Sequence, residues 1–359
     1  MLLGGTGAIG SHLTNVLSDK GERVVVTSRS RNEINGLVEY RKGNAKNDTF
    51  LYEVLRERWD AIVDFMIYSV DEFRRRVNLL LNSTSHYIFL SSARVYNVSQ
   101  EALTEESERL LDASSDQEFL ATSEYSLSKA RQEDILRSSN KKNWTIVRPY
   151  ITYGEKRLQL GNLEKEKWLY RALKGKSIIF SVDIKNHLTT LTYSLDVAIG
   201  IASLINNPNS FGETYHITSD FSCKWSEVLN IYLDVLEEEL GDRPKVIYQD
   251  LSDYLTWNPG KYQIIYDRLF ARKFDNTKIN EFINTKEFAQ VQVGLRKCLK
   301  TFLENPEFKS INWKYEAIKD RFAKESTPLK EISGLEQKVK YLLYRYFINV
   351  AKIIERLIK

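Results

Sequence analysis

The chain has 359 residues, 42% of them apolar and 28% charged, with a formal charge of +4. That length accommodates one large α/β domain or two domains, and so mild a charge excludes the global basic field that recruits nucleic acid. The only cysteines, Cys223 and Cys298, lie far apart, which argues against a disulfide framework or a cysteine-ligated zinc site.

No signal peptide is visible ahead of Leu2 and no apolar run approaches about 18 residues, so a cytoplasmic protein is expected. Leu2-Leu3 reads as the end of a strand, clipped against the usual length of about five or six residues. Gly4-Gly5-Thr6-Gly7-Ala8-Ile9-Gly10 follows, and Ser11 to Leu17 is helical. Strand, glycine turn and helix in that order suit a dinucleotide pyrophosphate. Backbone N–H groups at a helix N-terminus face the phosphates, and glycine keeps Cβ atoms out of the way.

Arg23 to Ser28 is a continuous β-branched run, as a buried parallel strand requires. Strands are expected at 37–41, 61–65, 87–91 and 144–147, and helices at 47–58, 70–81 and 123–138. This alternation predicts a doubly wound, Rossmann-type parallel sheet. Beyond Pro149 the expected order is helix 163–173, strand 177–181, helix 194–205, strand 214–218 and helix 225–240. From Asp250 onward the chain reads as mostly helical. The expected division is a dinucleotide-binding domain over 1–155, completed by 191–219. A smaller, mostly helical substrate domain covers 156–190 and 220–330, and a C-terminal amphipathic helix covers 331–359. Residues 324–334 are the best linker candidate.

The tail from Glu336 holds six basic residues (Lys338, Lys340, Arg345, Lys352, Arg356 and Lys359) against Glu336 and Glu355. Its apolar residues recur at helical spacing. Such a helix either docks on its own domain or a second subunit, which is the ordinary case and the favoured one, or makes peripheral contact with an anionic membrane.

Three Tyr-x-x-x-Lys pairs occur: Tyr125/Lys129, Tyr170/Lys174 and Tyr315/Lys319. Only the first opens a helix in the sheet-forming half and follows a strand ending in a hydroxyl cluster, Ser91-Ser92-Ala93-Arg94-Val95-Tyr96. The other two read as solvated helix faces. Residues four apart share a helix face, so the Lys129 ammonium favours the Tyr125 phenolate. An ordinary tyrosine titrates near pH 10, and a base working near pH 7 needs about 4 kcal/mol of such stabilisation. Ser92 would hydrogen-bond the same substrate oxygen. His12 reads as helix packing, and His86, His187 and His216 lack metal-ligand spacing, so no metal is expected. Trp225, Trp257, Trp313, Tyr96 and Tyr153 read as core.

With the glycine turn, Ser-Ser-Ala-Arg-Val-Tyr and Tyr-x-x-x-Lys, the chain resembles the extended short-chain dehydrogenases/reductases, in the NAD-dependent epimerase/dehydratase family. Gly43-Asn44-Ala45-Lys46-Asn47-Asp48 resembles the family's adenine-side segment. Arg148-Pro149-Tyr150-Ile151-Thr152-Tyr153-Gly154, Thr192 to Ala198 and Gly212 to Ile217 resemble its later motifs, over about residues 1–305. Asp64-Phe65 and Phe274 to Ile279 are similar to a branch that includes plant chloroplast stem-loop-binding proteins. The resemblance implies an NAD(P)-dependent oxidoreductase acting on a nucleotide-sugar as 4-keto reductase or epimerase. Ser92, Tyr125 and Lys129 would be catalytic. The cofactor would be held by Gly4, Thr6, Gly7, Ala8, Ile9, Gly10, Ser28, Arg29, Asn44, Ala45, Tyr125, Lys129 and Pro149.

After the second strand stand Ser28 and Arg29, where NAD-preferring sites have an acid. Arginine suits a 2′-phosphate, which favours NADP while NAD stays possible. Ile151 and Thr189 replace an Asn and an Arg that resemble diphosphate contacts, with Arg157, Lys176, Arg268 or Lys278 as candidate substitutes. Helices 70–81 and 123–138 resemble the family's dimer bundle, so a homodimer is expected. The rival reading is a nucleotide-bound RNA-binding protein or a non-catalytic interaction protein of the same fold; it ranks lower because Lys and Arg are dispersed.

Overall fold

A computed structural model describes residues 1–351 and 353. Its contacts group into two units, one of residues 1–156, 188–223 and 270–294, the other of 157–187, 224–269 and 295–359.

In the first unit, β1 (Leu2–Leu3) leads into α1 (Ala8–Asp19), then β2 (Val24–Ser28), β3 (Glu33–Asn35), β4 (Val38–Lys42) and α2 (Asp48–Val54). β5 (Trp59–Asp64), α3 (Val70–Asn82), β6 (Thr84–Leu90), α4 (Tyr125–Arg137) and β7 (Trp144–Pro149) follow, with short helical turns between β6 and α4. Strand Glu213–Ile217 joins the edge, and the eight-stranded order is Glu213–Ile217, β7, β6, β5, β1, β2, β4, β3. All pairings are parallel except β3 with β4. The chain winds outward in both directions from β1, so the crevice where ligands bind such sheets opens at the carboxyl end of β1.

The sheet's two faces are buried under separate apolar clusters. One gathers Leu3, Val25, Ile62, Phe73, Leu80 and Phe89, the other Leu2, Val24, Val26, Val63, Val197 and Ile201. The alternation of Leu2 and Leu3, or Val24 and Val25, between them is the strand period at work. All five residues of β2 are buried, as its β-branched run requires. α3 starts on a capping box: Ser69 Oγ accepts from Glu72 N at 3.2 Å, and Glu72 Oε2 accepts from Ser69 N at 2.7 Å.

Several expectations need correcting. The strand expected over 37–41 is present as β4, but an unexpected β3 pairs antiparallel with it in a hairpin turned at Gly36, whose φ is +57°. The helix expected over 47–58 stops at Val54, since Trp59 already donates its N–H to Ser83 O at 2.9 Å and opens β5. Segment 270–294 belongs to the first unit. Leu103 N donates to Lys273 O and Asp275 N to Leu103 O, both at 2.9 Å; Asn276 Nδ2 donates to Thr218 O and Ala289 N to Asp196 Oδ2, both at 2.8 Å.

In the second unit, helices Lys165–Leu173, Trp225–Leu240 and Trp313–Ala323 accompany a two-stranded parallel sheet of Ile178–Ser181 and Val246–Gln249. From Asp250 onward the described residues are mostly helical, as expected, with turns and loops prevailing over residues 256–290. Segment 324–334 is packed and does not behave as a linker. Thr327 is buried, its N–H donates to Tyr341 Oη at 2.7 Å and its hydroxyl to Asp320 Oδ2 at 2.8 Å. The C-terminal helix runs over Leu335–Tyr346, and Tyr341 and Tyr344 are packed against Trp313, Ala317 and Ile332. Lys352, Ile354 and everything after it, including Arg356 and Lys359, lie outside the described residues. Trp225, Trp257 and Trp313 are buried, as expected of core residues.

Candidate active site

The glycines of the first turn do three different jobs. Gly4 sits at φ +70°, where a Cβ would also meet the Met66 sulfur at 2.6 Å. A Cβ on Gly10 would meet the Gly5 carbonyl oxygen at 2.4 Å, so only glycine lets α1 pack this close to the turn. Gly7 faces open space, which leaves backbone room for a ligand. The turn is tied to β2 by Gly4 N donating to Thr27 Oγ1 at 2.8 Å. Gly7 is also the N-cap of α1, and no side chain caps it. The first N–H groups of that helix are therefore available to an anion. Thr6 and Gly7 are exposed, whereas Ala8 and Ile9 are half-buried.

The residues expected on the adenosine side come together at the next strand ends. Ser28 pairs in register with Lys42, and Gly43 N donates to Ser28 O at 2.8 Å. Ser28 Oγ accepts from Arg31 N at 3.1 Å, Arg29 is exposed, and Asn44 is exposed beside buried Ala45. Asn44 Oδ1 accepts from Lys46 N at 3.0 Å. A Cβ on Gly43 would strike the Phe50 ring at 2.2 Å, so that ring would have to move.

The residues expected to handle protons lie just beyond the end of β6 and on the first two turns of α4. Ser92 follows β6, is 8% exposed, and its hydroxyl accepts from Arg94 N at 3.2 Å. Tyr125 is the first residue of α4, and Lys129 stands one turn later, 2% exposed. Lys129 Nζ donates to Leu90 O at 2.8 Å, lies 4.5 Å from the Phe89 ring centroid and 6.0 Å from that of Tyr125. Burial lowers its pKa to about 8, while Asp64 and Glu133 favour the charged form. Pro149 closes β7, half-buried, opposite Ile217.

Three supporting residues were given no site role in the sequence. Arg94 places its guanidinium carbon 5.4 Å from the Tyr125 ring centroid and is held by Glu124 at 2.5 Å. Asp64 is fully buried at the end of β5, accepting from Met66 N at 2.9 Å and from the Tyr87 hydroxyl at 2.8 Å. Burial raises its pKa, against those hydrogen bonds and Lys129. Glu133, one turn beyond Lys129, accepts from Ser91 Oγ at 2.6 Å and pairs with buried Arg148 at 2.6 Å. Burial pushes the Glu133 carboxyl up, but Arg148 and Ser91 hold it below the usual carboxylate value. The signal for Asp64 was an acid ending an apolar strand run; Arg94 and Glu133 gave none beyond their neighbours.

His12 on α1 faces Glu155 at 3.4 Å and meets Tyr193 edge-on, ring centroids 5.4 Å apart. The Glu155 carboxyl is lowered to about 2, chiefly by His12. The four substitutes considered for the diphosphate contacts all have partners: Arg157 with Glu164 at 3.4 Å, Lys176 with Asp320 at 2.8 Å, Arg268 with Gly161 O at 3.0 Å and Lys278 with Glu213 at 2.7 Å. Each of the two other Tyr-x-x-x-Lys pairs, expected on solvated faces, has one member exposed or half-exposed (Lys174, Tyr315) and one packed inside. Tyr170 is 8% exposed and Lys319 only 1%, because their helices pack into the core of the second unit.

Similarity to known proteins follows this geometry. A family model for the NAD dependent epimerase/dehydratase family matches residues 1–218. The chloroplast stem-loop binding protein of 41 kDa b from Arabidopsis thaliana is 23% identical over 236 residues, which is 61% of this chain and 58% of that protein, so the match spans less than two thirds of the relative. Among solved structures, UDP-glucuronic acid 4-epimerase from Bacillus cereus, in complex with UDP-glucuronic acid and NAD, has a TM-score of 0.65 at 16% identity, covering 84% of this chain and 98% of that one. UDP-glucose 4-epimerase from Bifidobacterium longum, in complex with NAD+ and UDP, has a TM-score of 0.62 at 19% identity, covering 85% and 98%. At such identities the structures establish a shared fold. With the family model matched over more than half its length, the chain belongs to the NAD dependent epimerase/dehydratase family.

Proposed function

We propose that the chain is an NAD(P)-dependent oxidoreductase acting on a nucleotide-activated sugar, as a 4-keto reductase or an epimerase. The observation that carries this reading is the setting of Lys129: a buried ammonium one helical turn from Tyr125, beside the strand end that bears Ser92. Tyr125 Oη exchanges a proton with a substrate hydroxyl or carbonyl oxygen. Lys129 and Arg94, both beside the phenol ring, favour the phenolate electrostatically. Ser92 Oγ donates a hydrogen bond to the same substrate oxygen and orients it.

The uncapped start of α1 and the open space at Gly7 fit a dinucleotide pyrophosphate. The backbone of Gly4 to Gly10, including Thr6, Ala8 and Ile9, would hold it. Ser28 and Arg29 would lie at the ribose, Asn44 and Ala45 on the adenine side, and Pro149 near the reactive end with Tyr125 and Lys129. When bound, a nicotinamide dinucleotide supplies hydride chemistry. The similar epimerases named above carry NAD. Here Ser28, Arg29, Ser30 and Arg31 stand at the end of β2 in place of an acid and Arg29 is exposed, which supports NADP as the preferred form, with NAD accepted. A homodimer through α3 and α4 is the assembly implied by the family, although the outward residues there include Arg74, Arg75, Asn78 and Asp134, a polar surface. Sedimentation tests it.

The deciding experiment is to purify the chain, identify any co-purified nucleotide, and titrate NADPH and NADH. Failure of both to bind ends the oxidoreductase reading. A second reading rests on the Arabidopsis relative, whose name records stem-loop binding: a nucleotide-bound RNA-binding protein on the same scaffold. Tight, salt-sensitive binding of structured RNA by a chain inert toward nucleotide-sugars would favour it.

A further inference from the structure

The C-terminal helix Leu335–Tyr346 has two apolar faces, and the described residues cover the second only in part: Leu342 on it packs against the cluster around Trp313, while its neighbours on that side are exposed. On the docked face, Tyr341 and Tyr344 are 1% and 5% exposed within the cluster around Trp313. The Tyr341 hydroxyl donates to Asp320 Oδ2 at 2.7 Å. On the other face, Leu335, Val339 and Tyr346 are 79%, 47% and 53% exposed. They recur about one turn and then two turns apart, so they share one side of the helix. Phe347 breaks the helix, and a new turn begins with Ala351 N donating to Phe347 O at 3.0 Å. The pattern survives the break: Ala351 is buried, while Phe347, Val350 and Ile353 are exposed. Scattered exposed apolar residues are ordinary. Here three share one side of the helix and three more follow its break, a concentration of exposed apolar surface along one short segment.

Charge selects the occupant. Glu336 is the sole carboxylate among the described residues 335–353, against Lys338, Lys340 and Arg345. Arg345 is fixed by donating to Glu325 O at 2.8 Å and lies 5.0 Å from the Tyr346 ring centroid. Lys338 and Lys340 are half-buried; side chains of this kind cover apolar surface with their stems and keep their charged heads in solvent. A nucleic acid would satisfy these cations and leave the apolar stripe wet. A neutral helix would cover the stripe and leave the cations unmatched. An anionic phospholipid surface answers both demands, acyl boundary to the stripe and headgroups to the lysines.

We propose that this face rests on an anionic lipid surface and holds the protein there peripherally. The opposite face already anchors the helix to its unit, so binding needs no folding of the segment and loses little ordering entropy. Among the described residues no helix is long and apolar enough to cross a membrane; the contact is interfacial.

The test is co-sedimentation of the full chain with vesicles of phosphatidylcholine alone and of an equal mixture with phosphatidylglycerol. The mixture should bind at least about tenfold more protein, with the excess lost in high salt. Phe347→Glu with Val350→Glu alters only exposed positions and should weaken that binding by at least about tenfold at an unchanged melting temperature. Lys338→Gln with Lys340→Gln should remove several-fold of the anionic preference. Absence of binding to either vesicle, or equal binding by the wild type and the Phe347/Val350 variant, overturns the proposal. So does a variant that lowers the oligomeric state without changing vesicle binding, which would assign the face to a second copy of the chain.

Discussion

Tyr125/Lys129 in the first unit and Tyr315/Lys319 in the second share a spacing and much else. Both lysines are almost fully buried, both donate to a backbone carbonyl at 2.8 Å, Leu90 O and Lys167 O, and burial lowers both to about pKa 8. Their surroundings differ. Lys319 is ion-paired with Glu316, and it borders a closed set in which Arg171 meets Glu316, Asp320 and Glu325 and Lys176 meets Asp320. Its charge is taken up where it stands. Lys129 is favoured in its charged form by two acids on different elements, Asp64 and Glu133, and lies 6.0 Å from the Tyr125 ring centroid at the carboxyl end of β6 in a parallel sheet. A perturbed buried lysine is therefore no mark of an active site by itself; what it is paired with, and where, decides.

Phenol removal breaks that comparison most sharply. Tyr125→Phe should reduce turnover about 1,000-fold, the usual weight of a positioned proton donor, while cofactor affinity by fluorescence titration stays the same. Tyr315→Phe should leave turnover unchanged. Next come the lysines. Lys319→Met leaves the acids around Arg171 with one cation fewer in a buried setting, and should lower stability in urea denaturation by about 3 kcal/mol. Lys129→Met should cost about 100-fold in turnover and less stability than Lys319→Met, because Lys319 is ion-paired with Glu316 whereas Lys129 gives up a hydrogen bond to Leu90 O. A destabilised Lys129 variant with full activity would reverse the assignment. Arg29→Ala should weaken NADPH about tenfold and NADH hardly at all, the size of one charge-assisted contact to a phosphate; parallel titrations separate the two.

The alternation of apolar strands and amphipathic helices was enough to read the first unit, because a parallel sheet buried on both faces writes continuous β-branched runs such as Val24 to Val26. The glycine turn was readable for the same kind of reason: steric demands at Gly4 and Gly10 admit one residue type. Features that depend on distant partners were not. Tyr170 and Lys319 looked solvated because nothing local announces that Arg171, Glu316 and Asp320 close around their helices. Segment 324–334 looked like a linker because Pro and Ser suggest one, whereas Thr327 is held by Asp320 and Tyr341. In the site itself, Ser92, Tyr125 and Lys129 could be named from their motif, but Arg94 and Asp64 gain meaning only when α4 packs across the ends of β5 and β6.

Asp64 offers the finest test of what separates the two lysines. Its carboxylate favours the charged form of Lys129, so removing it should let burial lower the lysine further below about 8. The ammonium assists the Tyr125 phenolate only while protonated. Activity should therefore decline as pH rises through about 8 in the wild type, and at lower pH in Asp64→Asn. The substitution keeps the shape, and its amide oxygen can still accept from Met66 N while its NH2 donates to the Tyr87 oxygen, so folding should survive. Stability follows the same linkage. With the folded lysine near 8 and the unfolded one near 10.5, the unfolded state holds more protons between those values, and stability from this group rises with pH across that window. A pH–rate profile of Asp64→Asn whose alkaline limb stays in place would show that Lys129 is set by burial and Glu133 alone, and would leave the two buried lysines more alike than their surroundings suggest.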